Sequence, residues 1–447
     1  MKANIELLAP AGSLKTMRYA FAYGADAVYA GAARYSLRMR GNEFNDENLK
    51  TGIDEAHALG KQFFLTVNTM PHNYKLQTAI RDLTPALSAN PDAVIMSDPG
   101  LIMLVKEAFP DMPIHLSVQA NTVNWATVKF WQSAGISRVI LSRELSLKEI
   151  EEIRQRCPDM ELEVFVHGAL CIAYSGRCLL SGYFNNRDPN QGTCTNACRW
   201  QYNTHGSEEN SEGAFIPSAD QIFSPDALQG ITDSRERHPA ADGVYFLEEK
   251  ERPGEYMEIT EDDHGTYIMN SRDLRAIEHV GELVKIGVDC LKIEGRTKSH
   301  YYAARTAQLY RQAIDDALAG RDFNPQLNSK LEGLANRGYT DGFFVRRQIK
   351  AQQNYETGSS NAATQQFVGE ITAYDAATGR ATIEAKNHFA VGDRLEVISP
   401  KGNREITLDG LWLAKNGEAV NAAKGSGWVV EAEIGEIDDC TLLARNL

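Results

Sequence analysis

The sequence lacks the long apolar run that a membrane-spanning helix requires. None of its stretches approaches the roughly 18 uninterrupted apolar residues of a span, and its first residues, MKANIELLAPAGS, hold no long hydrophobic region like that of a signal peptide. We therefore expect a cytoplasmic protein with no membrane partner. Thiols stay reduced in that compartment, and the number of cysteines, seven, is odd, so a disulfide framework is not expected.

Several catalytic signatures are also missing. There is no H-E-x-x-H motif of zinc proteases, no G-x-S-x-G nucleophile elbow and no G-x-G-x-x-G after a candidate strand. Positive charge is scarce as well, since 46 basic residues stand against 60 acidic ones, and the net charge of −14 argues against bulk coating of nucleic acid. One local exception is the stretch 292–311, where five cations accompany a single acid, Glu294.

The first 170 residues contain a regular alternation of short β-rich runs with longer helical patterns. Ser13 and Asn45 stand where helices would begin, and Ser146 opens a Ser-x-x-Glu capping box. Alternation of this kind predicts a parallel sheet. Seven strand–helix units precede residue 170, and an eighth opens with VDCLKIEG at 288–295. Eight units favour a closed (β/α)8 TIM-like barrel over an open sheet.

We predict this barrel over residues 1–345, with a large Cys-rich insertion at about 169–270, after strand seven. The insertion would then lie at the C-terminal face of the barrel, where barrel enzymes build their active sites. A polar, aperiodic stretch at 346–366 is predicted to be a linker. Residues 367–447 contain short alternating runs broken by turn residues, which predict a small all-β barrel domain.

Four of the seven cysteines fall within 28 residues and have the spacing C-x6-C-x15-C-x3-C; these clustered cysteines are Cys171, Cys178, Cys194 and Cys198. Zinc sites favour paired C-x2–4-C knuckles, and only the last pair here fits. Iron–sulfur clusters accept more varied spacings, because their thiolates come from loops. Buried cysteines without a metal are a third alternative. The spacing favours an iron–sulfur cluster and leaves the other two alternatives open.

The residues around the first two clustered cysteines form the motif E-x-F-x2-G-A-L-C-x4-G-x-C-x-L-S, from Glu163 to Ser181. This motif resembles the signature of peptidase family U32, the collagenase-like peptidases. The segments LLAPAGSLKTMRYAFAYGADAVYAG near the start and LKIEGRTKS at 291–299 are similar to other landmarks of that family. The resemblance covers nearly the whole chain, and it is strongest for the branch concerned with prephenate-dependent hydroxylation of tRNA uridine.

The resemblance implies an RNA-modifying enzyme that converts the wobble uridine of tRNA to 5-hydroxyuridine, with prephenate as the oxygen donor. It also implies a 4Fe–4S cluster on the four clustered cysteines, and hence a dependence on the iron–sulfur assembly machinery. Cys290, in the eighth strand, is a reserve ligand. Two alternatives stay open: a collagenase-like peptidase, in which His167 would serve Cys171 as the base, and a zinc-stapled scaffold that binds RNA.

Polar residues stand at the expected C-terminal ends of several strands, where a barrel gathers them on one face. For the implied activity, Arg143 and Arg296 suit bidentate recognition of prephenate, which is a dicarboxylate. His167 is the candidate general acid or base, and Glu294 would orient an arginine or assist proton transfer. The candidate substrate-binding residues are Gln119, Asn121, Asn68 and Lys292.

The implied tRNA requires cations and stacking surfaces, because a splayed base is held on aromatic faces and arginine planes. The basic stretch 292–311 is a candidate for this contact, and so are its aromatic residues Tyr301 and Tyr302. Tyr183 and Trp200 offer further aromatic faces in the insertion. A role for Tyr301 or Tyr302 as a core residue of the eighth helix is the alternative.

Overall fold

A computed structural model describes most of the barrel, the whole C-terminal domain and parts of the insertion. The described residues are 5–32, 35–36, 42–69, 71–169, 173–174, 177–178, 202–209, 215–222, 245–249, 254, 256–262, 265–268, 272–334, 336, 338–345 and 365–447. Between 173 and 268, side chains are described only for His205, Phe246, Glu248 and Tyr256.

In the described part of residues 5–169, seven strands alternate with six α-helices, as the sequence pattern predicts. The elements are β1 Glu6–Pro10, α1 Leu14–Ala22, β2 Ala27–Gly31, α2 Asp46–Ala58, β3 Gln62–Val67, α3 Asn73–Ser88, β4 Ala93–Met96, α4 Pro99–Ala108, β5 Ile114–Leu116, α5 Trp125–Ser133, β6 Arg138–Ile140, α6 Leu147–Arg156 and β7 Glu161–Ala169. Each strand pairs in parallel with the next.

Local sequence explains where several of these helices begin. The side chain of Ser13 accepts a hydrogen bond from the backbone N–H of Thr16 at the start of α1, and Asn45 caps α2 in the same way. At α6, Ser146 and Glu149 form the reciprocal capping box. Each cap satisfies an N–H that has no partner within its helix. The predicted caps are therefore confirmed.

The described parts of the insertion are antiparallel. A short pair of strands comes first, β8 Ala173–Tyr174 and β9 Arg177–Cys178. A five-stranded sheet follows, with the spatial order β11-β10-β12-β13-β14; its strands are β10 Tyr202–Glu209, β11 Phe215–Ile222, β12 Tyr245–Glu249, β13 Tyr256–Asp262 and β14 Gly265–Ile268.

The chain then returns to the barrel through β15 Asp273–Arg275, α7 Val280–Ile286, β16 Cys290–Ile293, α8 His300–Leu318, α9 Gln326–Glu332 and β17 Tyr339–Thr340. Strand β16 pairs in parallel with both β7 and β1, so it closes an eight-stranded parallel barrel. The predicted TIM-like barrel is confirmed. Strand β15 pairs antiparallel with the end of β7, an addition that the sequence pattern did not predict.

The strand register decides which side chains fill the barrel. Residues paired directly across two strands point to the same face of the sheet. Lys292 faces the barrel interior, so the residues paired with it from strand to strand around the barrel identify the other side chains that face inward. Alternate strands contribute layers of four side chains. The central layer is Leu8, Phe64, His115 and Glu163. We call the C-terminal ends of the barrel strands the barrel mouth. The next layer in that direction is Tyr29, Ile95, Ile140 and Lys292.

The C-terminal domain is all-β and antiparallel, as predicted, and its first strand begins at Gln365. Its strands are β18 Gln365–Asp375, β19 Arg380–Ala385, β20 Phe389–Ala390, β21 Arg394–Ile398, β22 Arg404–Thr407, β23 Leu411–Leu413, β24 Ala419–Val420, β25 Ala422–Ala423, β26 Val429–Glu433 and β27 Leu442–Asn446. In the ranges that the structure describes, no helix combines the length and apolar character needed to cross a membrane.

This domain packs on α1 and α8 of the barrel. Tyr23, directly after α1, donates a hydrogen bond to the carbonyl of Ile398 at 2.7 Å. Arg305 of α8 forms a buried ion pair with Glu396, with 2.8 Å between Nη2 and Oε2. Ile398 and Leu442 also belong to the same apolar core as the barrel helices. The two domains therefore share a core and are held together by buried polar contacts.

Candidate functional site at the barrel mouth

Arg143 follows β6 and reaches the end of β7. Its Nη1 donates a hydrogen bond to the carbonyl oxygen of Ala169 at 2.6 Å, and its guanidinium carbon lies 4.1 Å from the ring centroid of Phe165. Its Nε is buried and has no hydrogen-bond partner among the described residues. A half-buried guanidinium whose buried Nε–H is unused is suited to receive an anion, because an unmade hydrogen bond at a buried donor is costly.

Arg296 comes from the loop after β16 and crosses to the end of β2. Its Nη1 donates a hydrogen bond to the hydroxyl of Ser36 at 2.5 Å, and its guanidinium carbon lies 5.9 Å from the ring centroid of Tyr29. The same Nη1 is 2.7 Å from the point that a Cβ on Gly31 would occupy. The missing side chain of Gly31 therefore leaves the space that the arginine uses.

Lys292 connects the two arginines through these aromatic rings. Its Nζ lies 4.3 Å from the ring centroid of Tyr29 and 5.2 Å from that of Phe165. Arg296 contacts the first ring and Arg143 the second. Three cations thus surround two rings at the inner end of the mouth. We call Arg143, Lys292 and Arg296 the mouth cations.

Glu294 directly follows β16 and is buried, and hydrogen bonds fix its backbone. Its N–H donates to the carbonyl of His167 at 2.8 Å, and its own carbonyl accepts from the hydroxyl of Tyr302 at 2.9 Å. Gly168 has a φ of +105°, and a Cβ there would lie 2.6 Å from the Glu294 carbonyl oxygen. Glycine is required at that position for both reasons, and the close approach holds Glu294 against the end of β7.

His167 does not face the mouth, which corrects the expectation from its place near the end of β7. The pairing of β7 with β16 shifts register beside it, and its ring lies 5.4 to 5.8 Å from the ring centroids of Tyr302, Tyr310 and Tyr339. Burial, helped by the charges of Arg275 and Lys298, lowers its pKa to about 3. A neutral, enclosed imidazole is not placed to serve as an acid or base for a ligand in the mouth, nor as the exposed base of a Cys–His protease.

The remaining polar candidates stand at the mouth, as predicted, and each is tied to a serine near the end of a barrel strand. The hydroxyls of Ser117 and Ser142 donate to the side chains of Gln119 and Asn121 at 3.1 Å, and that of Ser97 donates to the carbonyl of Asn68 at 3.0 Å. These bonds organise the loops after β3 and β5. A direct contact of Gln119, Asn121 or Asn68 with substrate stays a prediction.

Several hydroxyl-bearing side chains stand in the upper half of the barrel. The register places Pro10, Thr66 and Phe165 above the layer of Lys292, with Gly31 paired to Thr66, and Ser97, Ser117 and Ser142 come just after β4, β5 and β6. The hydroxyl of Thr66 and the Nδ1 of His115 are buried and have no partner in the part of the chain that the structure describes. Buried polar atoms are normally paired, so these two atoms are available to a polar ligand inside the barrel.

Below the mouth lies a charged network that our sequence analysis missed. Lys292 Nζ is 2.7 Å from Glu163, whose other oxygen lies 3.3 Å from Arg138. Arg138 also contacts Glu6 at 2.6 Å and Glu161 at 2.9 Å. The sequence pattern could have indicated this network, because its charged residues alternate with apolar ones in strands that are otherwise apolar, as in LEVFV and RVI. A direct contact of Lys292 with substrate stays a prediction.

The basic stretch 292–311 does not form one continuous RNA-binding face, so the expectation was wrong for its α8 part, whereas Arg296 stands at the mouth. Carboxylates distant in sequence pair with its cations: Glu163 with Lys292, Glu396 with Arg305, and Asp26 with Arg311. Tyr301 and Tyr302 are buried core residues of α8, at 6% and 7% exposure, so their faces are closed to a base. Three of the five cations of the stretch are therefore paired with carboxylates when the barrel and C-terminal domain assemble.

The predicted cluster ligands lie almost entirely outside the described residues. Cys171, Cys194 and Cys198 are not described, and Cys178 is described only as backbone at the end of β9. Elsewhere in the described ranges, no three His, Cys, Asp or Glu side chains gather in a way that would hold a metal ion. Cys290 is buried in register with Glu6, on the side of Lys292 away from the mouth, so it is not a reserve ligand.

Comparison with known protein families identifies the family of this chain. Residues 12–354 match peptidase family U32, and residues 363–444 match the C-terminal domain of peptidase family U32. The chain belongs to peptidase family U32. This confirms the resemblance inferred from the cysteine motif. The second match covers the all-β domain that packs on α1 and α8.

Two relatives in this family cover almost the whole chain. The tRNA hydroxylation protein P of Escherichia coli is 62% identical over 425 residues, which is 95% of this chain and 92% of that protein. The tRNA hydroxylation protein P of Haemophilus influenzae is 56% identical over 444 residues, 99% of this chain and 96% of that protein. A more distant relative is a 23S rRNA 5-hydroxycytidine synthase of Escherichia coli, 28% identical over 409 residues, 88% of this chain and 52% of that protein.

Proposed function

We propose that this U32 protein hydroxylates the wobble uridine of tRNA to 5-hydroxyuridine, with prephenate as the oxygen donor. The names of its two near-full-length relatives, both tRNA hydroxylation proteins, support the tRNA substrate. The structural observation that carries the proposal is the group of mouth cations, in which the buried Nε of Arg143 has no partner among the described residues. A cationic, partly unsatisfied site at the active face of a barrel suits a small anionic co-substrate.

Prephenate carries two carboxylates, so it requires fixed cations in a confined space. The Ala169 carbonyl and the Ser36 hydroxyl each hold one side of a mouth arginine and so orient its remaining donors. In the proposed complex, Arg143 and Arg296 each take one carboxylate. The unpartnered hydroxyl of Thr66 lies deeper in the barrel and is available to a polar group between them.

The proposal includes a 4Fe–4S cluster on the four clustered cysteines. Four thiolates from loops are the usual ligands of such a cluster. The first of them, Cys171, comes two residues after β7 ends at Ala169, the strand end that Arg143 contacts. When bound, the cluster would supply one-electron redox chemistry, and loading it would require the iron–sulfur assembly machinery.

The tRNA contact is assigned to the mouth and to the insertion, because the cations of α8 are occupied within the protein. Between residues 177 and 199 the insertion carries Arg177, Arg187 and Arg199 against a single acid, Asp188. Contacts of these arginines with phosphate would make tRNA binding weaken steeply with salt. A reaction on tRNA also places the protein in the cytoplasm, as part of this proposal.

The test is anaerobic purification with iron and sulfide counts, followed by nucleoside analysis of tRNA incubated with and without prephenate. We expect 5-hydroxyuridine only with prephenate and an iron-loaded protein, and loss of both iron and product in Cys171→Ser. Arg143→Met removes a charge-assisted hydrogen bond worth about 1.5–3 kcal/mol, so the KM for prephenate should rise about 10- to 100-fold. The matched control is Arg156→Met, since Arg156 is half exposed and pairs with the equally exposed Glu152.

Three outcomes would overturn the proposal. An iron-loaded protein that makes no 5-hydroxyuridine with prephenate would remove the hydroxylase assignment. A colourless protein with one zinc per chain would favour the zinc-stapled RNA-binding scaffold. Cleavage of a collagen-like peptide that disappears in Cys171→Ser would favour the peptidase.

A further inference from the structure

Lys292 is an amine enclosed in the barrel, one layer below the hydroxyl-lined part of the mouth. Only 3% of the residue is exposed, and its Nζ is 2.7 Å from Glu163 Oε1. Tyr29 and Phe165 flank the ammonium group. Burial lowers the pKa of Lys292, although the charge of Glu163 opposes that shift. A lysine in these surroundings differs from an arginine in one respect: it can lose its proton and become a nucleophile.

The surrounding network provides a destination for that proton. Glu163 is shared between Lys292 and Arg138, and Arg138 has two further carboxylates, those of Glu6 and Glu161. Transfer of a proton from Lys292 to Glu163 leaves a neutral amine beside a neutral acid, while Arg138 stays paired. Burial favours such a neutral pair over two separate charges.

The layers above Lys292 give a ligand a fixed direction of approach. A carboxylate held by one of the mouth arginines occupies the mouth, and Gly31 and Thr66, which pair across β2 and β3, lie between that level and the amine, with Ser117 directly after β5. A compound whose carbonyl adjoins its carboxylate would therefore point the carbonyl down the barrel axis, toward Lys292.

We infer that Lys292 forms an imine with the keto group of a 2-keto acid whose adjoining carboxylate is held by one of the two mouth arginines. The amine nitrogen bonds to the keto carbon after Glu163 has taken a proton from the ammonium group. A second proton passes from the bonded nitrogen to the keto oxygen, which gives the carbinolamine. Glu163 then returns its proton to that hydroxyl, which leaves as water, so the ammonium group and the ketone become a protonated imine and one water. Prephenate is a 2-keto acid, and in the choice of that ligand the inference rests on the proposed function.

The test is trapping with sodium borohydride, which reduces an imine to a stable secondary amine. Holoprotein is incubated separately with prephenate and with pyruvate, reduced and digested, and the mass of the peptide containing Lys292 is measured. We expect an adduct on Lys292 in wild type and none at this position in Lys292→Arg. Glu163→Gln, which retains the amine, should trap at least tenfold more slowly. Thermal melts of both variants check folding, and Lys148→Arg, on the exposed start of α6, is the control.

The outcomes separate this inference from the proposed function. An adduct on Lys292 in a protein that does not hydroxylate tRNA supports the imine and removes the hydroxylase assignment. Prephenate-dependent hydroxylation without any adduct on Lys292 overturns the imine and leaves the proposed function intact. If folded, iron-loaded protein gives neither an adduct on Lys292 nor hydroxylated tRNA, the imine and the proposed function are both overturned. An adduct on other lysines that is equally strong in Lys292→Arg also overturns the inference, because it shows surface reactivity alone.

Discussion

Gly31→Ala offers a test of the mouth in which one methyl group is added and no charge is changed. The new Cβ would lie 2.7 Å from Arg296 Nη1 and 2.8 Å from Ser36 Oγ, whereas ordinary contacts begin near 3.4 Å. Arg296 would have to withdraw by at least about 0.7 Å, which takes its 2.5 Å bond to Ser36 to the limit of hydrogen-bond length. The substitution therefore dislodges one mouth cation without removing it.

The expected cost falls on ligand binding and on folding. Loss of one well-placed, charge-assisted bond to prephenate is worth about 1.5–3 kcal/mol, so the Kd for prephenate should rise about 10- to 100-fold. The end of Arg296 can move away, but Ser36 Cβ, 3.0 Å from the new methyl group, is attached to the backbone, so we expect an overpacking cost of about 1–3 kcal/mol. Calorimetric titration with prephenate and a thermal melt measure the two effects separately.

Gly281→Ala is the matched control, because a Cβ there, in helix α7, meets nothing within 4 Å. It should leave the Kd unchanged and keep or slightly raise the Tm, since alanine is a better helix former than glycine by about 1 kcal/mol. A Gly31→Ala protein that binds prephenate as wild type does would refute the assigned role of Arg296. A Tm loss of more than about 10 °C would show that Gly31 serves the fold instead.

Three further predictions concern buried ionisable groups. Burial disfavours ionisation of Glu370, but its contacts with His300, Lys15 and Tyr19 outweigh burial and lower its pKa to about 2. The ionised carboxylate therefore stabilises the folded protein fully above pH 4.5. The Tm difference between wild type and Glu370→Gln should shrink as the pH falls from 4.5 toward 2. In the folded protein the pKa of His167 is lowered from 6.5 to about 3, so as the pH falls the imidazole binds a proton in the unfolded chain first. The free energy of unfolding should therefore fall between pH 6.5 and 3 in wild type, and should fall less in His167→Phe. The same variant should keep the kcat–pH profile, and a hundredfold loss of kcat at an unchanged Tm would restore the catalytic role expected from the sequence. Glu396→Gln leaves Arg305 buried without its counter-charge and should cost about 3–5 kcal/mol in urea denaturation, most of it recovered in the double variant with Arg305→Met.

The parts of the fold that follow from local pattern could be predicted from the sequence. The run AVYAG at 27–31 is the whole of β2, and Ser13, Asn45 and Ser146 begin their helices as expected. These features depend on a few neighbouring residues, and the sequence contains all of them. The positions of Arg143 and Arg296 at the mouth also followed, because any residue just after a barrel strand lies at that end.

The direction of individual side chains could not be predicted in the same way. His167 was expected at the mouth because it stands near a strand end, but the register shift between β7 and β16 places its ring among Tyr302, Tyr310 and Tyr339. A shift of one residue exchanges the two faces of a strand. The shift arises from the pairing of two strands more than 120 positions apart, so neither strand alone reveals it.

By itself, the sequence determined the order of strands and helices, the caps, the cysteine motif and the family, since each is written in contiguous residues. The tertiary structure alone decided which charges face each other. Closure of the barrel brings Glu6, Arg138, Glu163 and Lys292 from four separate strands into one network, and docking of the C-terminal domain sets Glu396 against Arg305. Electrostatic energy depends on distance in space and on burial, and neither quantity is fixed until the barrel closes and the second domain docks.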